Sequence, residues 1–208
     1  MSRGPYSACK RLIDVVASVA ALTIASPFFL VAAGAIRFHD SGPVFFRQER
    51  SGKDGRPFRM IKFRTMSEVG TGSDLPELSS WVSGVPDDFV FKTSESKASQ
   101  VTPPGHWLRR LSLDELPQFI NVLRGEMSLV GPRPEILQIS EHYSPEQARR
   151  LSVKPGITGW AQVTGRSLHN HGQKIAADLY YVDHASTRLD LGILLRTIWV
   201  AIHGREAY

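Results

Sequence analysis

Residues 15–36, VVASVAALTIASPFFLVAAGAI, form a run of 22 residues without a charge. At 1.5 Å per residue a helix of that length covers about 33 Å, enough to cross the hydrocarbon core of a bilayer. Its surroundings argue against a simple crossing. Ser26-Pro27 lies at mid-run, Asp14 opens the run, and basic residues flank both ends: Arg3, Lys10 and Arg11 before it, Arg37 after it. Lys and Arg beside membrane segments favour the cytoplasmic face, so charge at both ends conflicts with one end lying outside. A re-entrant helix-break-helix over residues 1–40, bent at Pro27, resolves the conflict, with the Ser26 hydroxyl free to satisfy a released carbonyl. A true span is the alternative. So is a cleaved signal peptide with Ala33-Gly34-Ala35 as its small-residue site, although the apolar run is long for a signal core.

The rest of the 208 residues suffices for one catalytic unit, residues 41–208, expected at the cytoplasmic membrane surface. Cys9 is the single cysteine, so an internal disulfide is excluded and no Cys/His spacing suggests zinc. The net charge of +5 calls for an anionic partner. Arg47, Arg50, Lys53, Arg56, Arg59, Lys62 and Arg64 face only Glu49 and Asp54, so this block alone carries the whole excess. Its position just after the apolar run suits anionic headgroups. A solvated hairpin face is the plainer reading.

Val44–Arg50 and Pro57–Arg64 are rich in Phe, Val and Ile around Ser51-Gly52-Lys53-Asp54-Gly55, the pattern of a β-hairpin and the one clear strand signal. Residues 67–105, rich in Ser, Gly, Pro and Thr, suggest a long loop with one short helix at most. Apolar positions 108, 111, 116, 119, 120 and 123 predict a helix from near Ser112 to Gly125. Two Pro/Gly turns follow, Gly131–Pro134 and Lys154–Gly159, with a polar helix near Pro145–Leu151 between them. Arg188–His203 carries an apolar stripe with Trp199 and arginines at its edges, either core or an interfacial helix. The fold class expected is α+β, mainly helical: a re-entrant membrane helix, one small hairpin and several amphipathic interfacial helices.

Asp114 and Glu115 are adjacent carboxylates at the predicted helix start, where backbone N–H groups favour negative charge. Ser112 and Glu115 also have capping-box spacing, which would make the pair structural. Around them lie cations in well-defined turns: Lys62 before Phe63-Arg64-Thr65-Met66, Arg109 one turn upstream, Arg133 between two prolines, and Arg166 after Gly165. A guanidinium held by such turns is aimed for phosphate oxygens. A surface ion pair is the plainer role for any one of them.

Taken in order, Lys10-Arg11-x-x-Asp14, Ser26-Pro27, Gln48-Glu49-Arg50-x-Gly52, Lys62-Phe63-Arg64-Thr65-Met66, Leu108-Arg109-x-x-Ser112-Leu113-Asp114-Glu115-Leu116-Pro117-Gln118, Gly125-x-Met127-Ser128-Leu129-Val130-Gly131-Pro132-Arg133-Pro134 and Lys154-Pro155-Gly156-Ile157-Thr158-Gly159-Trp160 resemble the bacterial sugar transferase family of monotopic phosphoglycosyltransferases. The resemblance implies transfer of a sugar 1-phosphate from a UDP-sugar to polyprenyl (undecaprenyl) phosphate, releasing UMP, as the first membrane step of glycoconjugate or polysaccharide assembly. It implies Asp114 as nucleophile and Glu115 as a ligand of Mg²⁺. Lys62, Arg109 and Arg166 would hold phosphate groups, and Arg133 would lie in the nucleotide-binding region. Asp178, Tyr181 and Asp190 carry over less firmly. The expected partners are the UDP-sugar, the polyprenyl phosphate and a lipid bilayer, with no nucleic acid and a homodimer left open. The expected location is the bacterial inner (cytoplasmic) membrane, with the catalytic domain facing the cytoplasm.

The chain departs from the family pattern in two places. Lys97-Ala98-Ser99-Gln100-Val101-Thr102 stands where many relatives have Asp-x-Arg-x-Thr, and Ser167 stands where Asn is frequent. Both departures touch donor preference. A membrane-bound Mg²⁺ phosphohydrolase using water as acceptor, and a non-enzymatic basic module binding membrane or nucleic acid, are the competing functions.

Overall fold

The computed structural model describes residues 4–39, 41–67, 81, 83–90, 101–164 and 170–203. Helix α1, Pro5–His39, runs 35 residues and passes through Pro27 without interruption. The helical pattern is thus continuous where a break was expected, and the physical reason is local. Pro27 has no N–H for the Thr23 carbonyl, and Ser26 Oγ donates to that carbonyl at 2.8 Å instead.

One face of α1 packs along the rest of the chain. Asp14, Ser18, Ala32 and Ile36 are buried on it, whereas Leu12, Val16, Ile24, Leu30 and Phe38 stay exposed. Polar contacts fix the N-terminal third. Arg11 donates to the Val122 and Leu123 carbonyls at 2.6 and 2.8 Å, and Asp14 Oδ1 accepts from Ser128 Oγ and the Leu129 N–H at 3.0 and 2.9 Å. Apolar contacts fix the C-terminal third. Ala32 and Ile36 share a core with Phe63 and Leu108, and Phe28 stacks on Trp107.

The hairpin forms as expected. β1, Phe45–Ser51, pairs antiparallel with β2, Pro57–Phe63, from Phe45↔Phe63 to Ser51↔Pro57. Asp54 and Gly55 both adopt positive φ, 57° and 72°, the left-handed pair that suits a tight hairpin twist. Three further strands have no legible sequence signal because each is two or three residues long. β3, Ser128–Val130, pairs parallel with β5, Gly156–Thr158, and β4, Glu135–Ile136, extends the hairpin beside β1.

The other helices among the described residues are α2, Pro103–Arg110; α3, Gln118–Arg124; α4, Leu137–Ser140; α5, Pro145–Ala148; α6, Trp160–Thr164; α7, His171–His184; and α8, Thr187–His203. The helix expected from near Ser112 begins only at Gln118, as α3, after a 3₁₀ turn at Leu113–Glu115; α2 ends before it, at Arg110. The polar helix near residue 145 ends at Ala148 and continues as a 3₁₀ turn, Arg149–Ser152. α7 was not read from the sequence; its charged residues mask a weak stripe. Of the long segment 67–105, residues 81 and 83–90 dock through Trp81, Val85 and Phe89 on Ile139 and Tyr143.

Asn121 is the joint between α3 and the free edge of β2. It is fully buried, its Oδ1 accepts from the Ile61 N–H at 3.0 Å, and its Nδ2 donates to the Arg59 carbonyl at 2.8 Å. Replacing it leaves two strand groups buried without partners, each costing about 1–3 kcal/mol. Asn121→Ala is expected to lower unfolding stability by about 2–4 kcal/mol. Denaturant unfolding in detergent, followed by circular dichroism, measures the loss.

Candidate active site

Asp114 and Glu115 lie on a 3₁₀ turn, Leu113–Glu115, between α2 and α3. Ser112 precedes it at φ 54°, a left-handed backbone, and makes no side-chain capping bond. The capping-box alternative is therefore excluded: a cap residue needs an extended backbone to turn its oxygen onto the next turn. Pro117, with φ −62°, then starts α3. The effect is to push the two carboxylates out on a short, sharply bent segment.

Glu115 Oε1 accepts from Lys62 Nζ at 3.0 Å and from Arg133 Nη2 at 2.8 Å. Three separate pieces of the chain meet at this one oxygen: β2, the 3₁₀ turn and the Gly131–Pro134 turn. Burial by itself would raise the Glu115 pKa, but Arg133 and then Lys62 outweigh it and hold the carboxyl at about 2. Asp114 moves the other way. Burial raises its pKa and Glu115 adds to the rise, against the pull of Lys62 and Arg109. Among the described residues no side chain hydrogen-bonds the Asp114 carboxylate, so neighbouring carboxyls of similar intrinsic acidity have been driven apart.

Of the expected cations, Lys62 and Arg133 are brought to Glu115. Arg109 projects from α2, with its Nε donating to Thr65 Oγ1 at 3.0 Å, and acts on Asp114 through its charge. Arg166 lies outside the described residues. Burial pulls the Lys62 pKa down, partly offset by Glu115.

The turn carrying Arg133 is clamped to the turn at Lys154–Gly159. Gly131 N–H donates to the Thr158 carbonyl and Gly156 N–H to the Pro132 carbonyl, both at 2.9 Å. A Cβ on Gly156 would stand 2.1 Å from Gly131 N, and one on Gly159 2.2 Å from Gly131 O. Only glycine permits this backbone contact.

Asp178, Tyr181 and Asp190 stand away from this cluster. Asp190 Oδ2 accepts from Lys10 Nζ and Tyr6 Oη at 2.9 and 3.0 Å, and Tyr181 Oη lies 2.8 Å from Asp190 Oδ1. These groups fasten α1 to α7 and α8. Asp178 pairs with buried Arg150. Sequence reasoning missed Asn121 and Arg150, since a single polar residue inside an apolar pattern carries no sign of its partners.

Glu115, the expected metal ligand, stands beside Asp114 on the same 3₁₀ turn. Among the described residues no group of three carboxylate, histidine or cysteine side chains converges. Two adjacent carboxylates, one of them without a hydrogen-bonding side chain, fit a cation that takes most of its ligands from water and substrate phosphates. That is how Mg²⁺ is usually bound.

Because the folded-state pKa of Glu115 is depressed, its stabilising contribution is complete above the ordinary value of 4.5 and disappears as pH falls through about 2. The wild type is expected to lose about 3 kcal/mol across that window that Glu115→Gln does not lose. Unfolding free energies of both proteins, measured at several pH values, test this.

Comparison with known proteins agrees with the motif order. A model of the family described as "Bacterial sugar transferase" matches residues 5–204. The sugar transferase EpsL of Bacillus subtilis is 41% identical over 91% of this chain and 85% of its own length. The UDP-glucose:undecaprenyl-phosphate glucose-1-phosphate transferase of Caulobacter vibrioides is 40% identical over 96% of this chain and 72% of its own. A UDP-N-acetylgalactosamine-undecaprenyl-phosphate N-acetylgalactosaminephosphotransferase of Aeromonas hydrophila is 36% identical over 96% of this chain and 45% of its own. The match reaches across α1, the hairpin, the carboxylate pair and both glycine turns, and the chain belongs to the bacterial sugar transferase family.

Proposed function

We propose that the protein transfers a sugar 1-phosphate from a UDP-sugar to polyprenyl phosphate, with undecaprenyl phosphate as the acceptor named for its relatives. The observation that carries this reading is the contrast within the carboxylate pair. Glu115 is tied to two cations and stays ionised, whereas Asp114, beside the same cations, has no hydrogen-bonding side chain among the described residues. A half-buried carboxylate with no side-chain bond to break, so close to phosphate-binding charge, suits a nucleophile.

In the first half-reaction an Asp114 carboxylate oxygen attacks the sugar-bearing phosphorus. The Asp–P bond forms, the bond from that phosphorus to the bridging oxygen breaks, and UMP leaves with the bond's electron pair. In the second, a phosphate oxygen of the polyprenyl phosphate attacks the same phosphorus, forming the diphosphate and releasing the Asp114 carboxylate. Lys62 and Arg109 neutralise phosphate oxygens through both steps, Arg133 acts on the donor diphosphate in the first, and Arg166 is assigned a phosphate-binding role from its motif. Glu115 keeps Lys62 and Arg133 in place until substrate arrives. Glu115 would hold Mg²⁺, which neutralises the diphosphate and stabilises the departing UMP when bound.

α1 is the one helix among the described residues long and apolar enough to cross a membrane. Its two halves, however, pack on the same body, through Lys10 on Asp190 and Asp14 on Ser128 before Pro27, and through Phe28 on Trp107 and Ile36 beside Phe63 after it. That supports a re-entrant placement, bent at Pro27 without loss of the helical pattern, with both ends on the cytoplasmic face of the inner membrane, the exposed stripe in lipid, residues 1–40 as anchor and residues 41–208 as catalytic domain. The apolar stripe of α8, with Leu195 and Trp199 exposed, suits the interface beside it. A bilayer-bound site also meets an acceptor whose phosphate lies at headgroup level.

A panel of radiolabelled UDP-sugars, with and without undecaprenyl phosphate and Mg²⁺, identifies the sugar through UMP and lipid-linked label. Asp114→Asn is expected to reduce lipid-linked product by about three orders of magnitude or more. Normal-rate product from that variant would remove Asp114 as nucleophile, and free sugar phosphate without lipid product would favour the hydrolase. Since the Asp114 pKa is raised and attack needs the ionised form, UMP release is expected to decline with falling pH at values above the ordinary aspartate pKa of about 4. An acid limb at or below that value in the rate–pH profile contradicts the assignment.

A further inference from the structure

Arg150 is only 5% exposed and lies outside the cations around Asp114. Its Nε donates to Asp178 Oδ2 at 2.8 Å, with Nη2 2.6 Å from the same oxygen. Nη1 donates to Tyr143 Oη at 2.6 Å and lies 3.5 Å from Glu135 Oε2. The remaining bond is the informative one: Nη2 donates to the main-chain carbonyl of Arg133 at 2.9 Å.

Burying an ion pair is a poor way to gain stability, because desolvation offsets the attraction and an apolar pair of equal volume packs as well. An apolar pair could not, however, donate to the Arg133 carbonyl. The backbone of the turn has special need of such donors. Pro132 and Pro134 have no N–H, so the turn is held mainly through its carbonyls. Three in succession are taken: Pro132 O by the Gly156 N–H at 2.9 Å, Arg133 O by Arg150, and Pro134 O by Arg50 Nη1 at 3.3 Å. The backbone of Arg133 is thereby fixed, while its guanidinium reaches Glu115 at 2.8 Å.

We propose that Arg150, held by Asp178, is a positioning residue for sugar-phosphate transfer, acting through the Arg133 carbonyl to aim the Arg133 guanidinium at the donor diphosphate. The inference rests on the reading of Arg133 as a donor-phosphate ligand. Lysine cannot take over the role: it keeps the charge beside Asp178 but lacks the planar fork that serves Asp178, Tyr143 and the Arg133 carbonyl together.

The test is a double-mutant cycle on the full chain in nanodiscs, with undecaprenyl phosphate and the UDP-sugar that supports turnover. Arg150→Lys is expected to lower kcat/KM for the donor about tenfold or more, as misaimed contacts do, and to leave kcat/KM for the acceptor within about twofold. In an Arg133→Ala background the same change is expected to add less than about twofold, because its effect passes through the missing side chain. Multiplicative losses in the double variant, or equal losses for donor and acceptor, overturn the proposal while Arg133 keeps its donor role. An Arg133→Ala single variant with unchanged donor kcat/KM overturns the donor reading itself, and the proposal with it. Should Arg150→Lys lack a cooperative thermal transition, Tyr143→Phe removes one Arg150 bond with little change in volume. It is expected to lower donor kcat/KM about threefold with the same dependence on Arg133, and independence from Arg133 overturns the proposal.

Discussion

The Glu115 carboxylate is where the separate parts of this molecule become one site. Its Oε1 is shared by Lys62 from the hairpin and Arg133 from the glycine-clamped turn, at 3.0 and 2.8 Å. Neither cation has much reason to be there without it. Lys62 is largely buried and would lose charge to desolvation, and a half-exposed arginine would sample many rotamers in water. One ionised carboxylate offsets both tendencies, and the cost of keeping it ionised is met by the cations themselves.

That arrangement frees Asp114. Since Lys62 and Arg133 are engaged by the neighbouring residue, Asp114 feels their field without being locked in an ion pair, and burial raises its pKa. A short 3₁₀ turn is what makes the division workable. On a regular helix, adjacent side chains diverge by about 100° and a capping bond would have engaged one of them. Ser112, held at positive φ, removes that option.

The supporting structure works at a distance from the reacting atoms. Arg11 and Asp14 tie α1 to α3 and β3, Asn121 ties α3 to the edge of β2, and Arg150 ties the Arg133 turn to α7. Each is a polar side chain satisfying main-chain groups that short elements leave unpaired. A chain whose described strands beyond the hairpin are two or three residues long depends on such bonds more than on extended ladders.

The sequence by itself determined the apolar helix, the hairpin and its turn, the two glycine turns and the identity of Asp114, Glu115, Lys62, Arg109 and Arg133 as a candidate set. These are local signals: a 22-residue uncharged run, alternating apolar residues about a Gly-rich turn, and ordered motifs. Continuity of α1 through Pro27, the late start at Gln118 of the helix expected from Ser112, and the burial of Arg150 and Asn121 were decided only by tertiary structure. The physical reason is common to all of them. Whether a freed carbonyl, a bent turn or a buried polar group is tolerated depends on which partner stands opposite, and Arg150–Asp178 or Ile61–Asn121 are brought together by folding, not by spacing along the chain.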